Sequence, residues 1–237
     1  MKMIRIITTL LFIVFIPLTV CGQKNPYWQE PTAAEAESNS LADGNPYIGP
    51  MPVEGRPDDH LYTESDEPHL NTEGHPYAQA KYYADQVVQQ FIKNNPDTDV
   101  EIVSVYPTGV MGPALSNRED STSVALQYLF KNRIAPNPFV QMLYDHDMEF
   151  SIVDVRDVAE GIYKAAATDG LHGKKYYLSN ESWKVSDISR MLNNEQVQEK
   201  PRFVYSGKNA ERDLGIVYKP ASVSFADYAA GNKNSKP

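Results

Sequence analysis

One amphipathic segment followed by a buried strand most constrains the fold of this 237-residue chain. From Pro76 to about Asn94, apolar and small residues recur at three- and four-residue steps, which is the period of a helix with one buried face. Pro96 ends this helix because proline cannot continue it. Residues 100–105 (VEIVSV) are typical of a buried strand. The order predicts an αβ unit, and hence an α/β sheet with helices on its faces.

The same helix carries a tyrosine and a lysine four residues apart, Tyr77 and Lys81. Side chains at this spacing lie on one face of a helix, where the ammonium favours the phenolate and lowers the tyrosine pKa. An enzyme that passes a proton to or from a substrate oxygen needs such a pair. A solvated helix face is the simpler interpretation of the spacing taken alone.

Further elements follow from periodicity and from helix and strand signals. We predict strands at 151–155 and 174–178, and an edge strand at 202–205. Helices are predicted at 120–132, 156–167 and 185–193, the last capped by a serine or aspartate near its start.

Four motifs occur in a fixed order along the chain. Tyr-x-x-x-Lys at 77–81 precedes Pro-x-x-Val-x-Gly-Pro at 107–113, then VDVRDVA at 153–159 and Lys-x-Ala-x-x-x-Leu-Gly at 208–215. Together they resemble the extended short-chain dehydrogenases/reductases, specifically the NAD-dependent epimerase/dehydratase group that includes dihydroflavonol-reductase-like enzymes. The resemblance runs over about residues 45–228. It implies a partial Rossmann-like, doubly wound α/β sheet that lacks the N-terminal glycine-rich half, plus a small C-terminal substrate lobe.

The resemblance also implies site residues and ligands. Tyr77 would be the general acid/base, and Lys81 its activator and a ribose-hydroxyl binder. Pro107, Thr108 and Val110 match the loop whose backbone passes the nicotinamide of NAD or NADP in relatives. The implied substrate is a small molecule with a carbonyl or alcohol group.

Other positions are either alternative candidates for a site residue or are expected to have a structural role. Ser40, 37 residues before Tyr77, is our candidate for the family's substrate-binding serine, while Thr9 follows a better strand pattern. Tyr106 stands where relatives usually have arginine. The aspartates of the VDVRDVA motif are expected to be structural, with Arg156 placed to neutralise one of them.

The family's Gly-x-x-Gly-x-x-Gly turn, which cradles the cofactor pyrophosphate, is missing from the sequence. Gly109 and Gly112 imitate part of it, but Pro113 follows and Leu115 stands where a third glycine would be. The alternative function is therefore a non-catalytic truncated relic, or an exported interaction protein that no longer binds a dinucleotide. Lost first strands would leave a sheet edge uncovered, so we expect a homodimer or another partner to cover it.

The N-terminus carries conflicting signals. A basic start, an apolar run over 6–20 and Cys21 predict a signal peptide over 1–23, with lipidation or a membrane anchor through residues 4–20 as alternatives. Alternatively, 4–9 (IRIITT) is the family's central strand and the gene start is mis-set. A leader implies a secreted or membrane-associated protein, and a mis-set start implies a cytoplasmic one. We predict an acidic, proline-rich loop region over 24–70, the family domain over 71–228 and a flexible tail over 229–237.

Composition excludes several other classes. The net charge of −9 without a basic run argues against nucleic-acid binding. The five histidines lack metal-ligand spacing, so no metal site is predicted. The sequence contains no Gly-x-Ser-x-Gly elbow, the motif that would indicate a hydrolase of the α/β class.

Overall fold

The computed structural model describes residues 4–9, 59–66, 68, 76–114 and 122–231. Within them the strands are β1 Ile4–Thr9, β2 Val100–Pro107, β3 Gly109–Met111, β4 Glu149–Asp154, β5 Lys175–Leu178 and β6 Ser182–Lys184. The helices are α1 Pro76–Asn94, α2 Thr122–Asn132, α3 Pro138–Asp145, α4 Val155–Ala167, α5 Val185–Leu192, α6 Lys208–Leu214 and α7 Ala221–Gly231. The predicted α/β class is confirmed.

The first sheet is parallel and has the order β1-β2-β5. β1 pairs with β2 from Ile4 opposite Val100 to Thr9 opposite Val105. β5 pairs with the other edge of β2, with Pro107 opposite Leu178. β2 is therefore the central strand of the described sheet, and the strands predicted at 100–105 and 174–178 are neighbours in it.

The second sheet has the order β3-β4-β6. The short strand β3 runs parallel to β4, whereas β6 is antiparallel to β4. β4 is the strand predicted at 151–155. The strand predicted at 202–205 is wrong, because Arg202 and Tyr205 form only isolated bridges to Ser182 and Tyr62.

The helices predicted at 76–94, 156–167 and 185–193 form with ends within one residue of the prediction. The cap predicted for the last one is wrong: Lys184 occupies the cap position of α5 without a side-chain hydrogen bond. Asp147, distant in sequence, instead accepts hydrogen bonds from the Ser186 backbone N–H and hydroxyl. The first two residues of the helix predicted at 120–132 lie outside the described residues, and α2 is described from Thr122. None of the helices in the described ranges combines the length and the apolar character needed to cross a bilayer.

Two clusters of buried apolar side chains hold the fold together. The lobe core, between β4, α2, α5 and α7, includes Phe130, Phe150, Ile188 and Phe225. The sheet core, between the first sheet, α4 and α6, includes Val105, Val158, Tyr176 and Leu214. Strand alternation assigns one face of the first sheet to the sheet core and leaves the other face toward α1.

Candidate active site

The carboxyl ends of β1, β2 and β5 lie at the same edge of the first sheet because the three strands are parallel. Thr9 ends β1 and Pro107 ends β2 at this edge. In open α/β sheets, ligands bind outside the carboxyl ends of the strands. Pro107 and the loop that follows it therefore lie where a ligand of such a fold would bind.

Thr108, the first residue of that loop, is tied to the end of β5. Its backbone N–H donates to the Leu178 carbonyl at 3.0 Å, and its buried hydroxyl lies 3.3 Å from the Ser179 hydroxyl. Val110, in β3, packs half-buried against the sheet core. Because the Thr108 hydroxyl is engaged with the protein, a cofactor contact here would fall to the backbone.

A buried glutamine locks the loop at Gly112. The Gly112 backbone has a φ of +121°, which side-chain-bearing residues rarely adopt, and a Cβ there would lie 3.2 Å from Asp154 Oδ2. Gln127 Oε1 accepts from the Gly112 N–H at 3.0 Å, and Gln127 Nε2 donates to the Gly112 carbonyl at 3.2 Å. Nε2 also donates to the Ser123 carbonyl at 3.1 Å. Sequence reasoning missed Gln127, although a glutamine beside Leu126 on an apolar helix face was a usable signal.

The aspartates of the VDVRDVA motif are structural, as expected. Arg156 donates to both Asp154 oxygens, at 2.8 and 2.7 Å, and the Ser224 hydroxyl donates to Oδ2 at 2.6 Å. Burial alone would raise the Asp154 pKa, but these hydrogen bonds outweigh it and hold the pKa below its ordinary value. Asp157, also buried, accepts from the backbone and side chain of Lys219. Arg156 thus neutralises Asp154, as predicted.

Helix α1 places Tyr77 in its first turn, Lys81 one turn later and Asp85 one turn beyond that. Lys81 is half-buried and Asp85 is buried. Asp85 accepts a hydrogen bond from the hydroxyl of Tyr106, the residue before Pro107, at 2.5 Å. The structure therefore brings the helix of the Tyr-x-x-x-Lys motif against the end of β2, beside the predicted cofactor loop.

Ser40, the predicted substrate-binding serine, lies outside the described residues. Asp85 was also missed by sequence reasoning, although it continues the four-residue spacing of Tyr77 and Lys81. Within the ranges that the structure describes, no three His, Cys, Asp or Glu side chains are grouped to hold a metal ion.

The model of the NAD dependent epimerase/dehydratase family matches residues 51–179, which is more than half of the chain. The chain belongs to this family. The matched segment contains Tyr77, Lys81 and the loop residues Pro107, Thr108 and Val110, whereas Ser40 precedes it. No curated protein matches the chain significantly.

Solved structures share the fold of this family member at low identity. Gre2 from Candida albicans in complex with NADPH matches with a TM-score of 0.60 and 18% identity, over 76% of this chain and 59% of that one. The yeast methylglyoxal/isovaleraldehyde reductase Gre2 with NADPH matches at 0.53 and 18%, over 65% and 50% of the two chains. MoeE5 in complex with UDP-glucose and NAD matches at 0.55 and 15%, over 75% and 60%.

These matches confirm the partial Rossmann-like α/β fold predicted from the motifs. The family member described here spans 59% of the length of Candida albicans Gre2.

Proposed function

We propose that this chain is an NAD(P)-dependent oxidoreductase or epimerase that acts at a carbonyl or alcohol carbon of a small molecule. The observation that supports the proposal is the seating of α1 against the end of β2, through the hydrogen bond from Tyr106 to Asp85. This contact sets the Tyr-x-x-x-Lys helix beside the loop that starts at Pro107, at the carboxyl edge of a parallel sheet. Both parts belong to the segment that matches the family.

The residues present fit one end of the cofactor. A glycine at 109 leaves the loop backbone close to β4, since a Cβ there would lie 2.8 Å from the Ser151 carbonyl oxygen. Pro107, Thr108 and Val110 of this loop would pass the nicotinamide, and Lys81 would bind the ribose. No glycine-rich turn in the sequence matches the pyrophosphate end. When bound, the nicotinamide supplies or accepts a hydride.

The chain's own residues would manage the proton and the substrate oxygen. The Lys81 ammonium favours the Tyr77 phenolate, so the phenol releases its proton more readily. In the reducing direction Tyr77 donates this proton to the carbonyl oxygen, and in the oxidising direction the phenolate takes the proton from the alcohol. A hydroxyl that holds the same oxygen would come from Ser40, with Thr9 at the end of β1 as the alternative.

The test is calorimetric titration of the purified full chain with NADH and NADPH, followed by a screen of carbonyl substrates. We expect Kd in the range of about 1 µM to 1 mM for one of the two dinucleotides, as for ordinary substrates and cofactors. Lys81→Ala should weaken the binding. Tyr77→Phe should preserve most of it and lower turnover by about 10²–10⁴-fold, the usual contribution of a general acid.

Matched controls lie on the same helix. Tyr83→Phe and Lys93→Ala remove the same groups from exposed positions of α1 and should change neither binding nor turnover. A folded chain that binds neither dinucleotide at millimolar concentration would overturn the proposal. That outcome would favour the alternative of a non-catalytic interaction protein.

Whether the N-terminus is a signal peptide or a strand can be tested directly. The predicted domain limits stay predictions. The structure places Ile4–Thr9 in β1, paired with β2, whereas a signal peptide over 1–23 would remove these residues from the sheet. N-terminal sequencing of the protein from its native host separates the two: cleavage near residue 23 supports the leader, and an intact or longer start supports the strand. Light scattering of the same sample tests the predicted homodimer.

A further inference from the structure

The two faces of the first sheet differ in chemistry. Val105 and Tyr176 point into the sheet core. Because side chains alternate along a strand, Tyr106, Lys175 and Tyr177 lie on the opposite face. The Tyr106 and Tyr177 rings meet edge to face there, with centroids 5.9 Å apart. The face toward α1 therefore carries polar and aromatic side chains beside the buried Ile102 of β2, whereas the face toward α4 and α6 is mainly apolar.

Asp85 joins α1 to this polar face. Its Oδ1 accepts from the Tyr106 hydroxyl at 2.5 Å, and its Oδ2 pairs with Lys175 Nζ at 3.2 Å. Gln89, one turn later on α1, donates to Oδ1 at 3.3 Å. Asp85 is only 7% exposed. A carboxylate buried to this degree is stable only when its oxygens are hydrogen-bonded and its charge is compensated.

Apolar packing on this side of α1 is partial. Val88 and Ile92, three and seven residues after Asp85, lie on its side of the helix and are half-buried. Val87 and Phe91, on the opposite side, are 69% and 48% exposed. No described residue of α1 belongs to the lobe core or the sheet core. The polar joint at Asp85 thus supplements an incomplete apolar contact.

The joint lies on the same stripe of α1 as the proposed catalytic pair. Tyr77, Lys81 and Asp85 follow one another at four-residue steps, so fixing Asp85 fixes the rotation of the helix about its axis at this stripe. Asp85 is also one turn from Lys81, close enough for a carboxylate and an ammonium on one helix to pair. Both Asp85 oxygens are instead directed to groups on the sheet.

We propose that Tyr106 and Lys175 hold Asp85 as a positioning joint, which orients the Tyr77–Lys81 face of α1 and keeps the Asp85 carboxylate from pairing with Lys81. The inference rests on the proposed function of Tyr77 and Lys81. Asp85 and Lys175 are positioning residues and do not themselves touch substrate. Tyr106 stays a neutral donor, because burial and the hydrogen bond to Asp85 raise the pKa of its phenol far above the ordinary value.

The joint is tested with Asp85→Asn, Lys175→Met and the double variant in the full chain. Lys174→Met is the matched control, since Lys174 makes a similar ion pair, 3.1 Å from Asp213, on the other face. Hydrogen exchange of the α1 amides reports the attachment of the helix. We expect exchange to accelerate about five- to tenfold in both single variants and not in the control. The double variant should be no worse than the worse single one, because the two residues act as a unit.

A second measurement reports the orientation of the Asp85 charge. The titration of Tyr77 is followed by ultraviolet difference absorption against Tyr77→Phe in each background. Lys175→Met releases Asp85 to pair with Lys81, so the Tyr77 pKa should rise. Asp85→Asn removes the competing carboxylate, so the pKa should not rise, and the double variant should behave like Asp85→Asn. If the role of Asp85 and Lys175 were purely structural, the Tyr77 pKa would change in the same direction in both single variants.

The outcomes separate the two proposals. Unchanged α1 exchange in a folded double variant, together with an unchanged Tyr77 pKa in Lys175→Met, would overturn the joint. If the wild-type chain binds no dinucleotide but Lys175→Met alone raises the Tyr77 pKa, the proposed function fails and the joint is supported. Should Lys175→Met fail to fold, Tyr106→Phe removes a single hydroxyl and must accelerate α1 exchange in the same direction.

Discussion

The loop after β2 and the helix α1, the two halves of the proposed site, are held by different forces. The loop is fixed by buried side chains: Gln127 is hydrogen-bonded to the Gly112 backbone, and Asp154 lies close to the Gly112 Cα. Helix α1 is held at Asp85 by a hydroxyl and an ammonium, while Val87 and Phe91 of the same helix stay exposed and Val88 and Ile92 are only half-buried. The comparison teaches that the core which stabilises the fold supports the proposed cofactor loop far more directly than the proposed catalytic helix.

This difference predicts that stability and site geometry respond to different substitutions. Changes in the lobe core should lower the free energy of unfolding and disturb the loop, because the loop is built on that core. Changes near α1 should leave the unfolding transition nearly in place and alter local exchange. Four variants test the part of this prediction that concerns stability, in order of decreasing effect, whereas the Asp85 and Lys175 variants described above test local exchange at α1.

Phe225→Ala should have the largest effect. Phe225 is fully buried in the lobe core, so its loss should lower the free energy of unfolding by about 3–5 kcal/mol. Urea denaturation followed by tryptophan fluorescence measures this, with Phe203→Ala, at a 60% exposed position, as the control. Equal losses in the two variants would contradict the placement of the lobe core.

Asp154→Asn should come next, because it leaves Arg156 without its buried partner. We expect a loss of about 2–3 kcal/mol at pH 7, less than for a fully buried pair since Arg156 is partly exposed. The folded-state pKa of Asp154 is lowered, so its stabilisation is present above the unfolded value of about 3.9 and is lost as pH falls through the folded value. Urea midpoints of the two proteins should converge below that pH. A constant gap from pH 7 to 3 would rule this out.

Gln127→Met should cost about 1–3 kcal/mol, the usual penalty for leaving buried polar groups unpaired. The side chain keeps its volume, but the Gly112 N–H and carbonyl lose their partner. Thermal unfolding gives the stability, and hydrogen exchange at Gly112 locates the change in the loop. Gln141→Met, on the exposed side of α3, is the control and should change neither.

Glu64→Gln should have the smallest effect at neutral pH and the opposite pH dependence to Asp154. Glu64 accepts from the Tyr177 N–H at 2.8 Å and from Asn209 Nδ2 at 2.6 Å, and burial raises its pKa. Its folded value therefore exceeds the unfolded one of about 4.3, so its stabilisation is present below that value and is lost as pH rises through the folded value. The wild type should gain stability relative to Glu64→Gln as pH falls toward 4. A parallel pH dependence of the two unfolding midpoints would exclude the raised pKa.

Much of the fold could be predicted because local patterns and tertiary packing agree there. The helical period of apolar residues predicts α1 and α4, and apolar runs predict β2 and β4. The structure has these four elements where the patterns place them. The sequence also indicates that Arg156 neutralises a neighbouring aspartate, since a cation between two aspartates at the start of a helix is well placed to pair with one of them.

The rest depended on distant partners, which leave no local pattern. The cap of α5 comes from Asp147 rather than from a neighbour in sequence. Residues 202–205 looked like a strand, but they meet only isolated residues of other segments. At the proposed site, Tyr77 and Lys81 stay predictions from the motif and its spacing, whereas the contacts of Asp85 could not be predicted, because Lys175 lies 90 positions later in the sequence.

The pairing of strands that are far apart in sequence also has a consequence for the order of folding. β4 pairs with β6 through Phe150 and Trp183, which are close along the chain, whereas β1 pairs with β2 through Ile4 and Val100. Closing the longer segment, between β1 and β2, costs more chain entropy before any stabilising contact forms, so parallel pairs of this kind form slowly. We expect the lobe to be the early nucleus and the β1–β2 pair the late step. During that interval an unpaired edge of β2 is exposed, which makes the folding chain most prone to aggregation at the strand that carries the proposed site.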